Sequence, residues 1–87
     1  MVEKTLEERG NSYGNFNVGT EQFASIMESL DLIHLDKTGH SLKGTDRINL
    51  QYIVMKLIRL GATPDHLDSW HDIQGYASLS EIFYKGK

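Results

Sequence analysis

No cysteine occurs in the 87 residues, and that absence removes disulfide staples, thiolate zinc sites and cysteine nucleophiles together. Long apolar runs are missing too. The longest apolar stretch, Ile53 to Leu60, is interrupted by Lys56 and Arg59 and falls far short of the roughly 20 residues that span a bilayer, so no membrane partner is expected. Positive charge is not in excess: nine Lys and Arg stand against twelve Asp and Glu, a net charge of −3. Such a balance gives no general attraction to nucleic acid, and none is expected as a partner. The opening MVEKTLEERG carries acidic residues and no apolar core, which argues against a secretory or transit signal and for a cytoplasmic protein.

What is present fits one small all-α domain over residues 1–87. A core of this size usually needs reinforcement. With disulfides excluded, self-association is the remaining common route, and a homo-oligomer is expected.

A first short helix is predicted over about Val2 to Arg9, followed by a glycine- and asparagine-rich break, GNSYGNFNVG, from Gly10 to Gly19. Tyr13 and Phe16 in that break are larger than a solvated linker requires. The second predicted helix starts at Thr20 as N-cap and carries Phe23, Ile26, Met27 and Leu30 at the spacing of one apolar stripe, stopping near Leu32. Ile33 to Thr45 then reads as a long loop, with a small β-hairpin about Lys37, Thr38 and Gly39 as the alternative. Asp46 is the expected cap of a third helix, Arg47 to about Leu60, whose core face is Leu50, Ile53, Val54, Leu57 and Leu60. Gly61 is its natural stop. Thr63 and Pro64 form the favoured N-cap and first position of a fourth helix to about Tyr84. The short connection makes the last two helices antiparallel neighbours, so the expected fold is a bundle of about four helices with a C-terminal αα-hairpin.

Two polar stripes in that hairpin carry the functional question. Asn49, Tyr52, Lys56 and Arg59 recur at spacings of three and four, as do Asp68, Asp72, Gly75 and Leu79 on the next helix, beside an apolar stripe of Trp70, Ile73 and Ala77. If the stripes face each other, the aspartates pair with the bases and hold helix register, while Gly75 permits close approach. The sharper alternative has Lys56 and Arg59 gripping phosphate oxygens. Asp68 and Asp72 would then organise the bases or share a magnesium ion. Tyr76 lies on the Asp72 side, where its hydroxyl would complete a polar network. Arg9, Tyr13 and Gly14 form a further candidate cluster for phosphate. His71 points outward, and His66 is better suited to capping or packing than to catalysis. Without an H-E-x-x-H motif, the commonest histidine-based helical zinc site is absent.

The segments E-E-R-G-x-x-Y-G (Glu7 to Gly10, Tyr13, Gly14), K-x-x-R (Lys56, Arg59) and D-S-W-x-D-I-x-G-Y-A (Asp68 to Ala77) resemble a family of small uncharacterised bacteriophage and prophage proteins. That likeness implies a location in the cytoplasm of an infected host. The last segment is also distantly similar to a core helix of MazG-like all-α nucleoside triphosphate pyrophosphohydrolases, which implies a helical, oligomeric, magnesium-dependent enzyme with Asp72, and less so Asp68, as metal ligands. The E-x-x-E pair of that superfamily is not evident, and the facing helix offers Lys56 and Arg59 where two-metal hydrolysis wants carboxylates. The leading expectation is therefore binding of a nucleotide or other phosphorylated small molecule through Arg9, Tyr13, Lys56, Arg59 and Tyr76, for instance to sequester a host signal nucleotide. The rivals are pyrophosphohydrolysis and a protein-interaction module that adapts or inhibits a host protein.

Overall fold

The computed structural model describes residues 15–87. The first predicted helix and the candidates Arg9, Tyr13 and Gly14 lie outside the described residues. Those described form three helices, α1 (Phe16–Thr38), α2 (Gly44–Ala62) and α3 (Leu67–Lys85), with no strand among them. The hairpin alternative about Thr38 is thereby excluded. Within the described residues α2 is central: α1 and α3 each pack on it and not on each other.

Helix α1 begins four residues before the expected cap. Asn15 takes that role, its side-chain oxygen accepting from Val18 N at 3.1 Å, in place of Thr20. The helix also runs past Leu32 to Thr38, so most of the expected loop is helical. Its C-terminus carries the chemistry of a helix stop. Gly39 adopts φ 78° and donates its amide to Leu35 O at 2.8 Å, a left-handed C-cap that costs a glycine no Cβ clash. The Thr38 hydroxyl bonds back to His34 O at 2.8 Å and accepts from His40 N.

The remaining link, residues 39–43, is held by one carboxylate. Asp31 accepts Leu42 N on Oδ1 at 2.8 Å and Arg47 Nη1 on Oδ2 at 3.3 Å, tying α1, the link and the start of α2 together. Leu42 beside it is buried. The N-cap of α2 is Lys43, which makes no side-chain capping bond, and Asp46 sits in the first turn instead of capping it. Helix α2 passes through Gly61 and ends at Ala62, Thr63 N donating to Arg59 O.

Thr63 thus closes α2 where it was expected to open α3, and Pro64 lies in the turn. The cap of α3 is His66, whose Nδ1 accepts Ser69 N at 3.2 Å and lies 2.9 Å from Ser69 Oγ. Trp70 clasps the same turn by donating Nε1 to Pro64 O at 2.9 Å. Ser69 is fully buried, and the imidazole and the His66 carbonyl, which accepts Ser69 N at 3.1 Å, supply its hydrogen-bond partners.

The core is small. Met27, Leu42, Val54 and Leu60 are the buried hydrophobic residues among those described, against fifteen large hydrophobic residues left exposed. Leu57, expected in the core face of α2, is among the exposed. So is Trp70, and Ala77 is exposed as well, so the expected apolar stripe on α3 reduces to half-buried Ile73. No described helix is long and apolar enough to cross a membrane.

Candidate functional site

Three layers of polar and aromatic contact join α2 to α3. At one end the Tyr84 hydroxyl donates to Asp46 Oδ1 at 2.6 Å and accepts from Asn49 Nδ2 at 3.4 Å. In the middle the Tyr52 and Tyr76 rings stack, centroids 5.0 Å apart and 14° from parallel. At the far end Lys56 Nζ meets Asp72 Oδ2 at 3.0 Å. The partners ascend α2 as they descend α3. Sequence spacing explains the alignment: Asn49, Tyr52 and Lys56 are three and four residues apart, and Asp72 and Tyr76 on α3 are four apart, so each set shares a helix face.

The physical character of each layer differs. Asp46 keeps the Tyr84 phenol protonated: its hydrogen bond raises the hydroxyl above the ordinary 10.0, the Asn49 bond works the other way, and burial and the Asp46 charge add smaller upward pushes. The tyrosine pair is an offset-stack contact of the kind worth about 0.5–1.5 kcal/mol beyond area burial. The Lys56 side chain is mostly covered, 19% exposed, whereas Asp72 is 41% exposed. Water therefore reaches the anion more readily than the cation.

The expected pairing of basic and acidic stripes is thus present at Lys56 and Asp72. Tyr76 enters the seam through its ring rather than through its hydroxyl. Asp68 is exposed on the flank of α3, and Arg59 is half-buried on α2. Gly75 does not mediate a close approach: nothing lies within 4 Å of where its Cβ would be. The tight place is elsewhere, at Gly19 on α1, where a Cβ would meet Ile58 Cγ2 of α2 at 3.4 Å. Sequence reasoning also passed over Asp46 and Tyr84 as a pair. Their separation along the chain hides the contact, and only the helix register brings them together.

A magnesium ion is poorly served by this arrangement. Asp68 and Asp72 offer oxygen donors, but the Lys56 ammonium already lies 3.0 Å from the Asp72 carboxylate. Among the described residues no group of three or more His, Asp or Glu side chains converges as a metal site. A divalent ion held by protein oxygens wants more carboxylates and no ammonium beside them.

Residues 2–83 match the family model described as Domain of unknown function (DUF6378), and the chain belongs to that family. No curated protein and no solved structure matches it.

Proposed function

We propose that this chain is a protein-interaction module whose outer helices dock on another polypeptide, with α2 and α3 as an antiparallel hairpin scaffold. The observation that carries the reading is the distribution of apolar side chains. Phe16, Leu32 and Ile33 on α1 and Leu67, Leu79 and Ile82 on α3 are each more than half exposed, while the core holds only four buried hydrophobic residues among those described. Single exposed leucines are ordinary; the reading takes the large apolar side chains of the two outer helices as contacts for a partner.

The polar seam supports the same reading. Lys56, the cation best placed for a phosphate, is engaged by Asp72, and one face of Tyr76 is covered by Tyr52. A nucleotide would have to break the first contact to gain the lysine. The seam instead does structural work, setting the rotation of α3 on α2 and so deciding which apolar residues point outward.

The test pairs a ligand screen with a binding comparison. A nucleotide at 100 times its dissociation constant stabilises a folded protein by about 2.7 kcal/mol. The expected result is no thermal shift with nucleotides, with or without magnesium. In parallel, a tagged full chain recovers a stoichiometric protein partner from its native cell, a second copy included, and a variant with Ile33→Asn and Leu79→Asn loses it while keeping its helical circular dichroism. A nucleotide-induced shift abolished by Lys56→Ala, with no protein partner recovered, refutes the interaction reading and restores the phosphate site.

A further inference from the structure

We propose that a second copy of this chain docks on the flank of α3 formed by Asp68, His71, Gly75, Leu79 and Ile82, with the two α3 helices crossing antiparallel. This deepens the interaction reading and rests on it. The residues recur every three or four positions and so lie along one side of the helix. Leu79 and Ile82 are about two-thirds exposed, at 66% and 65%, and the space beside Gly75 is empty. The flank thus carries its apolar bulk towards its C-terminal end and a position without a side chain, Gly75, at its middle.

That asymmetry is self-complementary. In an antiparallel crossing centred near Tyr76 and Ala77, Leu79 of one copy enters the gap over Gly75 of the other. Ile82 meets His71, and both contacts are repeated by the two-fold axis, as an isologous interface demands. Glycine at the crossing lets the helix axes approach closely enough for the leucine to fill the gap.

Charge selects the same partner and the same direction. Asp65 and Asp68 stand at the N-terminal end of α3 and Lys85 and Lys87 at its C-terminal end. Antiparallel pairing brings Asp68 of each copy to Lys85 of the other, whereas a parallel pair would set like charges together. Local contacts do not prevent the exchange. Among the described residues Lys85 pairs with Glu81 on its own helix, at 2.7 Å with both side chains more than 60% exposed, and Lys87 lies over the Phe83 ring. Exposed pairs of this kind are weak and readily traded.

The test is sedimentation equilibrium of the full chain from micromolar to millimolar concentration. The expected wild-type result is a reversible monomer–dimer equilibrium. Gly75→Gln puts a long side chain where even a Cβ would meet nothing within 4 Å, so it leaves the monomer folded and weakens the dimer on the order of tenfold or more. Leu79→Asn acts similarly. Asp68→Lys weakens association and the double variant Asp68→Lys, Lys85→Asp restores it, a rescue that a structural role for either residue would not produce. A chain that stays monomeric throughout, or a dimer indifferent to Gly75→Gln, overturns the proposal. A dimer indifferent to Gly75→Gln but lost in Ile33→Asn overturns the α3 interface alone and leaves the interaction reading standing. If the chain is monomeric and no other protein is recovered with it, both fail.

Discussion

Neutralising one end of the Lys56–Asp72 pair at a time should produce unequal losses. At the observed 3.0 Å, two unit charges attract by about 1.4 kcal/mol in water and about 5.5 kcal/mol at an effective dielectric near 20. Most of the larger figure is offset by desolvating the covered ammonium, ordering two side chains, and screening at the more exposed aspartate. A net coupling of about 1 kcal/mol remains, the upper end of what exposed pairs show. Asp72→Asn leaves a mostly covered lysine without its counter-charge, and about 1–2 kcal/mol of stability is lost. Lys56→Met keeps the apolar stem and leaves an aspartate that water already reaches, so its cost is smaller.

The assay is urea unfolding of the wild type, both single variants and the double variant, read as a double-mutant cycle. The coupling should shrink between 0.1 M and 1 M salt as the screening length falls from about 10 to about 3 Å. Equal single costs with a coupling near zero would refute the ion pair. So would a magnesium-dependent rise in melting temperature that Asp72→Asn removes, because the carboxylate would then be a metal ligand.

Asp31→Ala strips the acceptor from both Leu42 N and Arg47 and should cost about 1–3 kcal/mol, a fall of several degrees in melting temperature; an unchanged midpoint would show that the link 39–43 needs no such anchor. Gly75→Ala, measured at concentrations where the chain is monomeric, should stabilise it by about 0.5–1 kcal/mol by replacing a mid-helix glycine in open space. Gly19→Ala gains less, since its methyl meets Ile58 Cγ2 at 3.4 Å, and calorimetry of the two variants should rank them in that order. Tyr84 has a hydroxyl held above its ordinary 10.0 mainly by Asp46, so the stability it contributes is fully present below pH 10 and is lost as pH rises through the higher folded-state value. Tyrosinate absorbance should show one late-titrating group that is absent in Tyr84→Phe and moves to lower pH in Asp46→Asn; a titration identical in all three proteins would contradict the hydrogen bond.

Apolar periodicity located the helices because it follows directly from which residues must leave water. Met27, Val54 and Leu60, each part of a predicted stripe, are buried. The ends were harder to read, because several residues near each boundary can cap a helix and the choice depends on tertiary contacts. Asn15 and Thr20 both offer an acceptor, and the earlier one prevails because Gly19, an apparent breaker, is used where α1 approaches Ile58. Thr63 and Pro64 carry a strong start signal, yet His66 caps α3 because its imidazole also satisfies the buried Ser69. The end of α1 was set too early, near Leu32, because Gly39 and Gly44 made the region look like one long loop, whereas Thr38 back-bonding and a left-handed Gly39 form the actual stop.

At the site, the spacing of Lys56 and Asp72 was enough to place each on a definable face, and their contact needed only the right rotation of one helix on the other. The burial of Trp70 was misjudged for a different reason. An indole can be satisfied at the surface when its N–H finds a carbonyl, here Pro64 O, and large aromatic area by itself does not compel burial.

Directional polar contacts work beside the small apolar core in this protein. Between α2 and α3 much of the cross-helix specificity comes from an ion pair, a tyrosine stack and a phenol–carboxylate bond. These directional contacts tolerate little rotation, whereas a greasy seam would let α3 slide or turn. Fixing α3 in that way leaves Leu79 and Ile82 outward beside the empty space at Gly75. A flank held in one orientation meets a partner without first losing conformational freedom, which is how preorganisation raises affinity for a given buried area. If α3 docks on a second copy as proposed, the polar seam and the apolar flank act together. Loosening the seam through Asp72→Asn should therefore weaken association as well as stability, even though Asp72 need not touch the partner.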